Sequence, residues 1–304
     1  MKVYGATRAL LLAAATLSLA APFLSADSRQ NDRPLTADEI HALVERVISN
    51  QHKNDAALAD FERRERRQAR KEEEDTRLSE DKTFRVVPTG TGTLRLLVEE
   101  DGQPVSAELY RKQLRDLEQA LLWALNPAES RQKRRVEKWD KRVRERAEMV
   151  DAVGNAFRFT WQGREDANGR ALVKLLLEPE PSFKPRSRTT EMFRHVRATL
   201  WIDEAAAQLV RAEAEIITDI SIGGGVLGKI YRGGRFVMEQ VQVAEGIWLT
   251  SRYQYDFEGR RFLFGFQVHE VTLANAYRRI GSPKEALAAV RHELNNSPAP
   301  SNSH

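Results

Sequence analysis

The chain contains no cysteine. That excludes disulfides, thiolate nucleophiles and cysteine-ligated zinc. It also excludes lipid attachment at an N-terminal cysteine, and it is compatible with an oxidising compartment. Long apolar runs are missing after the first 26 residues, so the mature chain is expected not to span a membrane. Catalytic signatures are missing as well. None of the six histidines falls in an H-E-x-x-H or H-x₃₋₅-H spacing, and no serine sits in G-x-S-x-G. Gly223 to Gly228 matches G-x-G-x-x-G, but Lys229-Ile230-Tyr231 and Gly233-Gly234 follow it. A phosphate site needs a helix N-terminus there, so the motif reads as a glycine loop between strands. Asp203, Glu204, Asp219, Asp256 and Glu258 lie at or near strand ends, with no spacing that singles out an acid–base pair. The expectation is a non-enzymatic protein with no catalytic residue, no metal site and no cofactor.

What is present begins with an export signal. Lys2 and Arg8 make a basic start, Ala9 to Ala21 is uncharged and apolar, and Leu24-Ser25-Ala26 supplies small residues. This order is that of a secretory signal peptide over 1–26. Cleavage after Ala20 or Ala26 fits; Ala26 is preferred, because Pro22 would otherwise sit just past the cut. The expected location is the periplasm. Removing 1–26 takes two basic residues and no acid from the 48 Lys/Arg and 44 Asp/Glu, so the mature chain is near neutral. A nucleic-acid partner is not expected.

The pattern then divides the chain. Residues 27–82 read as an N-terminal helical segment. Thr36-Ala37-Asp38-Glu39 is a capping box, and Ile40, Leu43, Val44, Val47 and Ile48 recur at helical spacing. The Arg/Glu-rich stretch from Phe61 to Arg77 reads as a solvated continuation of that helix. Two strand-like runs lie in 83–100, separated by Pro88-Thr-Gly-Thr-Gly92. Residues 105–150 read as an inserted helical hairpin. Leu114, Leu117, Leu121, Leu122 and Leu125 form a stripe, Asn126-Pro127 breaks it, and 131–148 carries nine basic residues interleaved with acids. That hairpin is a candidate surface for an envelope protein partner.

From Phe157 to Leu273, short alternating runs are separated by turn signals such as Asn168-Gly169, Gly233-Gly234, Glu245-Gly246 and Glu258-Gly259. Short links force consecutive strands to pair antiparallel. The expected domain is an antiparallel sheet over 83–280, with a C-terminal helix and disordered tail over 281–304. Its strands are rich in aromatics. Phe159 and Trp161 share a face by alternation, as do Tyr253, Tyr255 and Phe257, and then Phe262, Phe264 and Phe266. Two explanations stand: a sheet packed on helices, or a concave sheet enclosing an apolar cavity lined by these eight residues.

The order Phe157-Arg-Phe159, Gly163-Arg-Glu165, Asn168-Gly169-Arg170, Leu200-Trp201-Ile202-Asp203, Gly225-Val-Leu227, Gly233-Gly-Arg-Phe236, Gly246-Ile-Trp248-Leu249 and Gly259-Arg260 spans 155–273. It resembles the LolA/LolB-type outer-membrane lipoprotein carrier (lipoprotein-sorting) superfamily. The resemblance implies an α+β fold: a strongly curved antiparallel sheet, an incomplete barrel, covered by helices, with an apolar cavity for acyl chains. It implies a periplasmic carrier or binding protein for a lipid, a lipoprotein acyl chain or another hydrophobic ligand. The charged insertion 105–150 is additional to that pattern. No arginine here matches the one that latches the helical lid of such carriers, so no functional residue carries over. The alternative is a structural or protein-interaction module of the cell envelope.

Overall fold

The computed structural model describes residues 33–71, 77–126, 130–167, 169–222, 227–262 and 264–296. The signal peptide, Asn168, residues 223–226 of the glycine motif and the tail after 296 lie outside the described residues. In chain order the elements are α1 (Ala37–Ala57), β1 (Phe61–Arg70), β2 (Glu80–Pro88), β3 (Thr93–Glu100), β4 (Gln103–Pro104), α2 (Ala107–Leu125) and α3 (Ser130–Ala156). Then follow β5 (Phe157–Ala167), β6 (Arg170–Pro179), α4 (Arg188–Glu191), β7 (Val196–Asp203), β8 (Gln208–Ile216), β9 (Ile220–Ile222) and β10 (Gly228–Ile230). The chain continues with β11 (Arg235–Ala244), β12 (Ile247–Arg261), β13 (Phe264–Arg279) and α5 (Pro283–Asn296).

The strands form one 13-stranded sheet in the order β4-β3-β2-β1-β13-β12-β11-β8-β7-β6-β5, with β10 added to β12 and β9 to β10. Pairing is antiparallel, as the short links require. The sheet does not close. α1 opens as its sequence demands: Glu39 N–H donates to the Thr36 hydroxyl at 3.3 Å, and the Glu39 carboxylate accepts from Thr36 N–H at 2.8 Å.

Two helical readings change. From Phe61 to Arg70 the Arg/Glu run is not helix but β1, in the middle of the sheet between β2 and β13; its residues 72–76 lie outside the described residues. Charges that could pair along a helix pair across strands instead: Arg66 with Asp81 at 2.5 Å, and Arg67 with Glu270 at 2.7 Å. Residues 105–150 are not a hairpin packed on itself. Residues directly opposite in a ladder share a face, and following them across the sheet separates α2 from α3. Ile202, Val173 and Leu175 share their face with Tyr253, Thr272, Glu65 and Val86. That face carries the core built on Ile40, Leu43, Val44 and Val47 of α1 and Ala156 of α3. Val87 lies on the other face with Leu96, under Leu114, Leu117 and Leu121 of α2 and Leu287 and Val290 of α5.

The face beneath α1 and α3 is concave. The α3 ring Trp139 sits 3.8 Å from where a side chain at Gly92 would begin, in the β2–β3 turn. At its other end α3 runs straight into β5 at Ala156. From Trp139 to Ala156 the helix covers about 25 Å at its usual rise. Eight strand spacings laid flat from β5 to β2 would need about 38 Å. The sheet therefore bows, and α3 crosses it as a chord.

Candidate functional site

The concave face divides into three zones. Under α1, strands β5 to β8 are sealed by the apolar core. Phe159 and Trp161 belong here, partly buried against the α1 cluster, with the Arg164 guanidinium 4.7 Å from the Trp161 ring. On the opposite side, β1 and β2 carry an ion-pair lattice. Arg63 pairs with Glu65 at 2.7 Å, Glu65 with Arg95 at 2.8 Å, and Arg67 reaches both Glu270 and Glu80.

Between them lies an aromatic strip. Register places Phe236 opposite Tyr255 and Met238 opposite Tyr253. It places Phe257 opposite Val268 and Gly259 opposite Phe266. Phe236 lies 6.2 Å from Tyr253 and 5.2 Å from Tyr255, ring centre to ring centre. Tyr253 stacks on Tyr255 at 6.3 Å, and Phe257 meets Phe266 edge-on at 6.2 Å. Such offset and edge arrangements suit the ring quadrupoles. The strip is only half-buried. Burial, then the neighbouring Tyr253 and Glu270, hold the Tyr255 phenol above its usual pKa. Gly259 lets the ring of Phe266 lie on the backbone: a side chain there would come within 2.8 Å of that ring.

At its inner end the strip meets a pocket of about 60 Å³ with a mixed polar and apolar lining. Its lining includes Gln51, Asn54 and Asp55 of α1, Arg146 of α3, Arg63 and Glu65 of β1, and Tyr253 and Tyr277. Asn54 accepts from Trp248 N–H at 2.9 Å and donates to Gln208 at 2.9 Å. Arg146 is bonded to Asp55 at 2.8 Å. Tyr277 donates to the Thr250 carbonyl at 2.5 Å, and burial raises its pKa. This pocket is well below the roughly 300 Å³ at which drug-sized ligands are housed. Six of the eight aromatics singled out by alternation therefore gather on β12, β13 and the turn between them, while Phe159 and Trp161 stand five strands away in the core. Phe262 is not on the strip; it occupies the β12–β13 turn at φ +56°. Phe236 and Met238 join the strip unforeseen, although their alternation with Val237 could have flagged them.

The carboxylates at strand ends all have structural partners. Asp203 accepts from Ala206 N–H at 2.9 Å, Glu204 pairs with Arg164 at 2.8 Å, and Asp219 pairs with Lys229 at 2.8 Å. Glu258 accepts from Gln267 at 3.0 Å. Asp256 accepts from Gln254 at 2.6 Å and lies 3.5 Å from buried His269, on the convex face. Among the described residues, no group of three metal-ligating side chains converges and no helix is long and apolar enough to cross a membrane.

No family profile matches the sequence, and no curated protein matches it. Solved structures do resemble the chain. One is an outer-membrane lipoprotein-sorting protein domain from Vibrio parahaemolyticus, with 10% identity, covering 77% of this chain and 92% of that one, at TM-score 0.32. Another is a LolA-superfamily protein from Nitrosomonas europaea, with 11% identity, covering 83% and 97%, at TM-score 0.32. A third is the MucA/MucB complex of Pseudomonas aeruginosa, with 10% identity, covering 78% and 94%, at TM-score 0.21. These likenesses are loose, and the chemistry of the site stands on its own geometry.

Proposed function

We propose that the protein is a non-enzymatic, exported binding protein that takes an apolar chain, such as a lipid or lipoprotein acyl group, along the open strip of its concave face. The observation that carries this reading is the strip itself: Phe236, Tyr253, Tyr255, Phe257 and Phe266, contiguous and half-buried, between a sealed core and a charged lattice. Contiguous exposed apolar surface on a folded chain marks a binding surface more often than chance. The pocket, about 60 Å³, is too small to take an acyl chain end-on, which favours a chain lying along the strip with part of its length exposed. The export signal, an expectation from the sequence, puts the protein where acyl chains must cross water.

The test is binding of a fluorescent fatty acid to purified protein, with native mass spectrometry of protein from a periplasmic fraction. Wild type is expected to bind the probe and to carry lipid. Tyr255→Asp, which sets a charge in mid-strip, should weaken the probe at least tenfold while Phe159→Leu leaves it unchanged. Clean apo protein that binds no probe would sink the reading. It would favour the alternative, an interaction module whose exposed, charged α3 meets a protein.

A further inference from the structure

Beyond Phe266, the last ring of the strip, the β12–β13 hairpin ends in a tip where apolar side chains stand in solvent. Phe264 is 78% exposed, Phe262 50% and Leu227 47%. They form one tip, because Phe262 N–H donates to the Leu227 carbonyl at 3.2 Å and Gly228 pairs with Arg261, which pairs with Phe264. Phe262 also sits at φ +56°. A bulky residue there is a conformational outlier, where glycine or asparagine would be at ease. The fold thus holds a phenylalanine in an unfavourable backbone state and aims half of it at water.

Charge completes the description. Lys229 is neutralised by Asp219 at 2.8 Å, and from Glu258 to Phe266 the chain has two basic residues, Arg260 and Arg261, against one acid. Glu258 accepts a hydrogen bond from Gln267 at 3.0 Å and keeps its charge, which leaves the hairpin end with a net positive charge of one. The tip therefore carries two protruding rings beside two guanidinium groups, that of Arg260 donating to the Phe262 carbonyl at 2.9 Å. It is also narrow. A protein partner needs about 800 Å² on each side, whereas a lipid headgroup layer accepts a few aromatic rings and basic side chains.

We propose that this hairpin tip docks the protein reversibly on an anionic lipid surface, with Phe262 and Phe264 entering the headgroup layer and Arg260 and Arg261 meeting its negative charge. The docking needs nothing from the strip, so the two readings fail separately.

Co-sedimentation with vesicles of phosphatidylglycerol and phosphatidylethanolamine, against pure phosphatidylcholine, tests it. The protein should sediment with the anionic vesicles only, and less so as salt rises. Phe264→Ser should lower the affinity at least tenfold with its unfolding midpoint unchanged. Arg261→Gln should lower it about fivefold and blunt the salt dependence. Phe262→Gly should move two readouts in opposite directions, stabilising the fold by relieving the positive φ while weakening vesicle binding. The fatty-acid probe should bind all three variants like wild type. The proposal is overturned if wild type stays in the supernatant with anionic vesicles, which would point to a protein at the tip. It is equally overturned if Phe264→Ser sediments as well as wild type.

Discussion

Asn54 is 1% exposed and belongs to a helix whose other buried positions begin as a regular apolar stripe. Toward its C-terminus α1 turns that stripe polar, with Gln51 and Asn54 in place of leucines. The reason lies outside the helix. Trp248 N–H, at a bulge of the β11–β12 ladder, has its acceptor in Asn54. Gln240, on the same face, donates to Gln51 at 3.1 Å. A buried donor left without a partner costs about 1–3 kcal/mol. Asn54→Ala strands both Trp248 N–H and the side-chain oxygen Oε1 of Gln208, so urea unfolding should show a loss of about 2–5 kcal/mol. A loss under 1 kcal/mol would mean that water replaces the amide at no cost.

The elements are tied to the sheet by different means on its two faces. α1 is held by apolar packing and the amides of Gln51 and Asn54, whereas α2 and α5 combine a leucine core with a partly buried cation. Arg85 of β2 reaches Glu62 of β1 at 2.9 Å, Tyr110 of α2 at 3.1 Å and Glu293 of α5 at 2.7 Å. Removing one member of a buried ionic group leaves the others uncompensated and costs about 3–5 kcal/mol. Arg85 keeps 17% and Glu293 33% of its side chain exposed, so Arg85→Ala should cost less than that, about 1–3 kcal/mol, by thermal or urea unfolding. It should also speed amide exchange in α5 more than in α1. Equal exchange in both helices would refute the tie. β1 shows why element type was misjudged. Its residues alternate charge with charge, because both faces of the central sheet carry ion pairs, and no apolar period marks it as a strand. Helix and strand then look alike in sequence. Only the partners Asp81 and Glu270, distant along the chain, decide between them.

Across the molecule, these pairs make stability depend on pH in one direction. Asp81 lies below the ordinary carboxylate pKa, chiefly through its bond from Arg66; Glu204 through its bond from Arg164; Asp219 through its bond from Lys229. A carboxyl group with a depressed folded-state pKa lends stability that is fully present above its unfolded value, near 4, and is lost as pH falls through the folded value. The unfolding temperature should therefore hold from neutrality to about pH 5 and fall below about pH 4. Arg66→Gln should shallow that acid slope. A midpoint that stays flat down to pH 3 would show that these pairs do not count.

By itself the sequence determined what depends on local chemistry. The capping box of α1, the leucine stripe of α2, the antiparallel links after Phe157 and the alternation that sets Tyr253, Tyr255 and Phe257 with Phe264 and Phe266 are all short-range; the same alternation counted Phe262 in, and the turn takes it out of the strand. Backbone propensity and the two-residue strand period suffice for them. The tertiary structure decided what depends on distant partners. It inserted β1 between β2 and β13, sent α2 and α3 to opposite faces, took Phe159 and Trp161 into the α1 core and left Phe264 in water. Those outcomes turn on which strand lies beside which and on how far the sheet bows, and both arise from long-range pairing and curvature that no window of sequence contains.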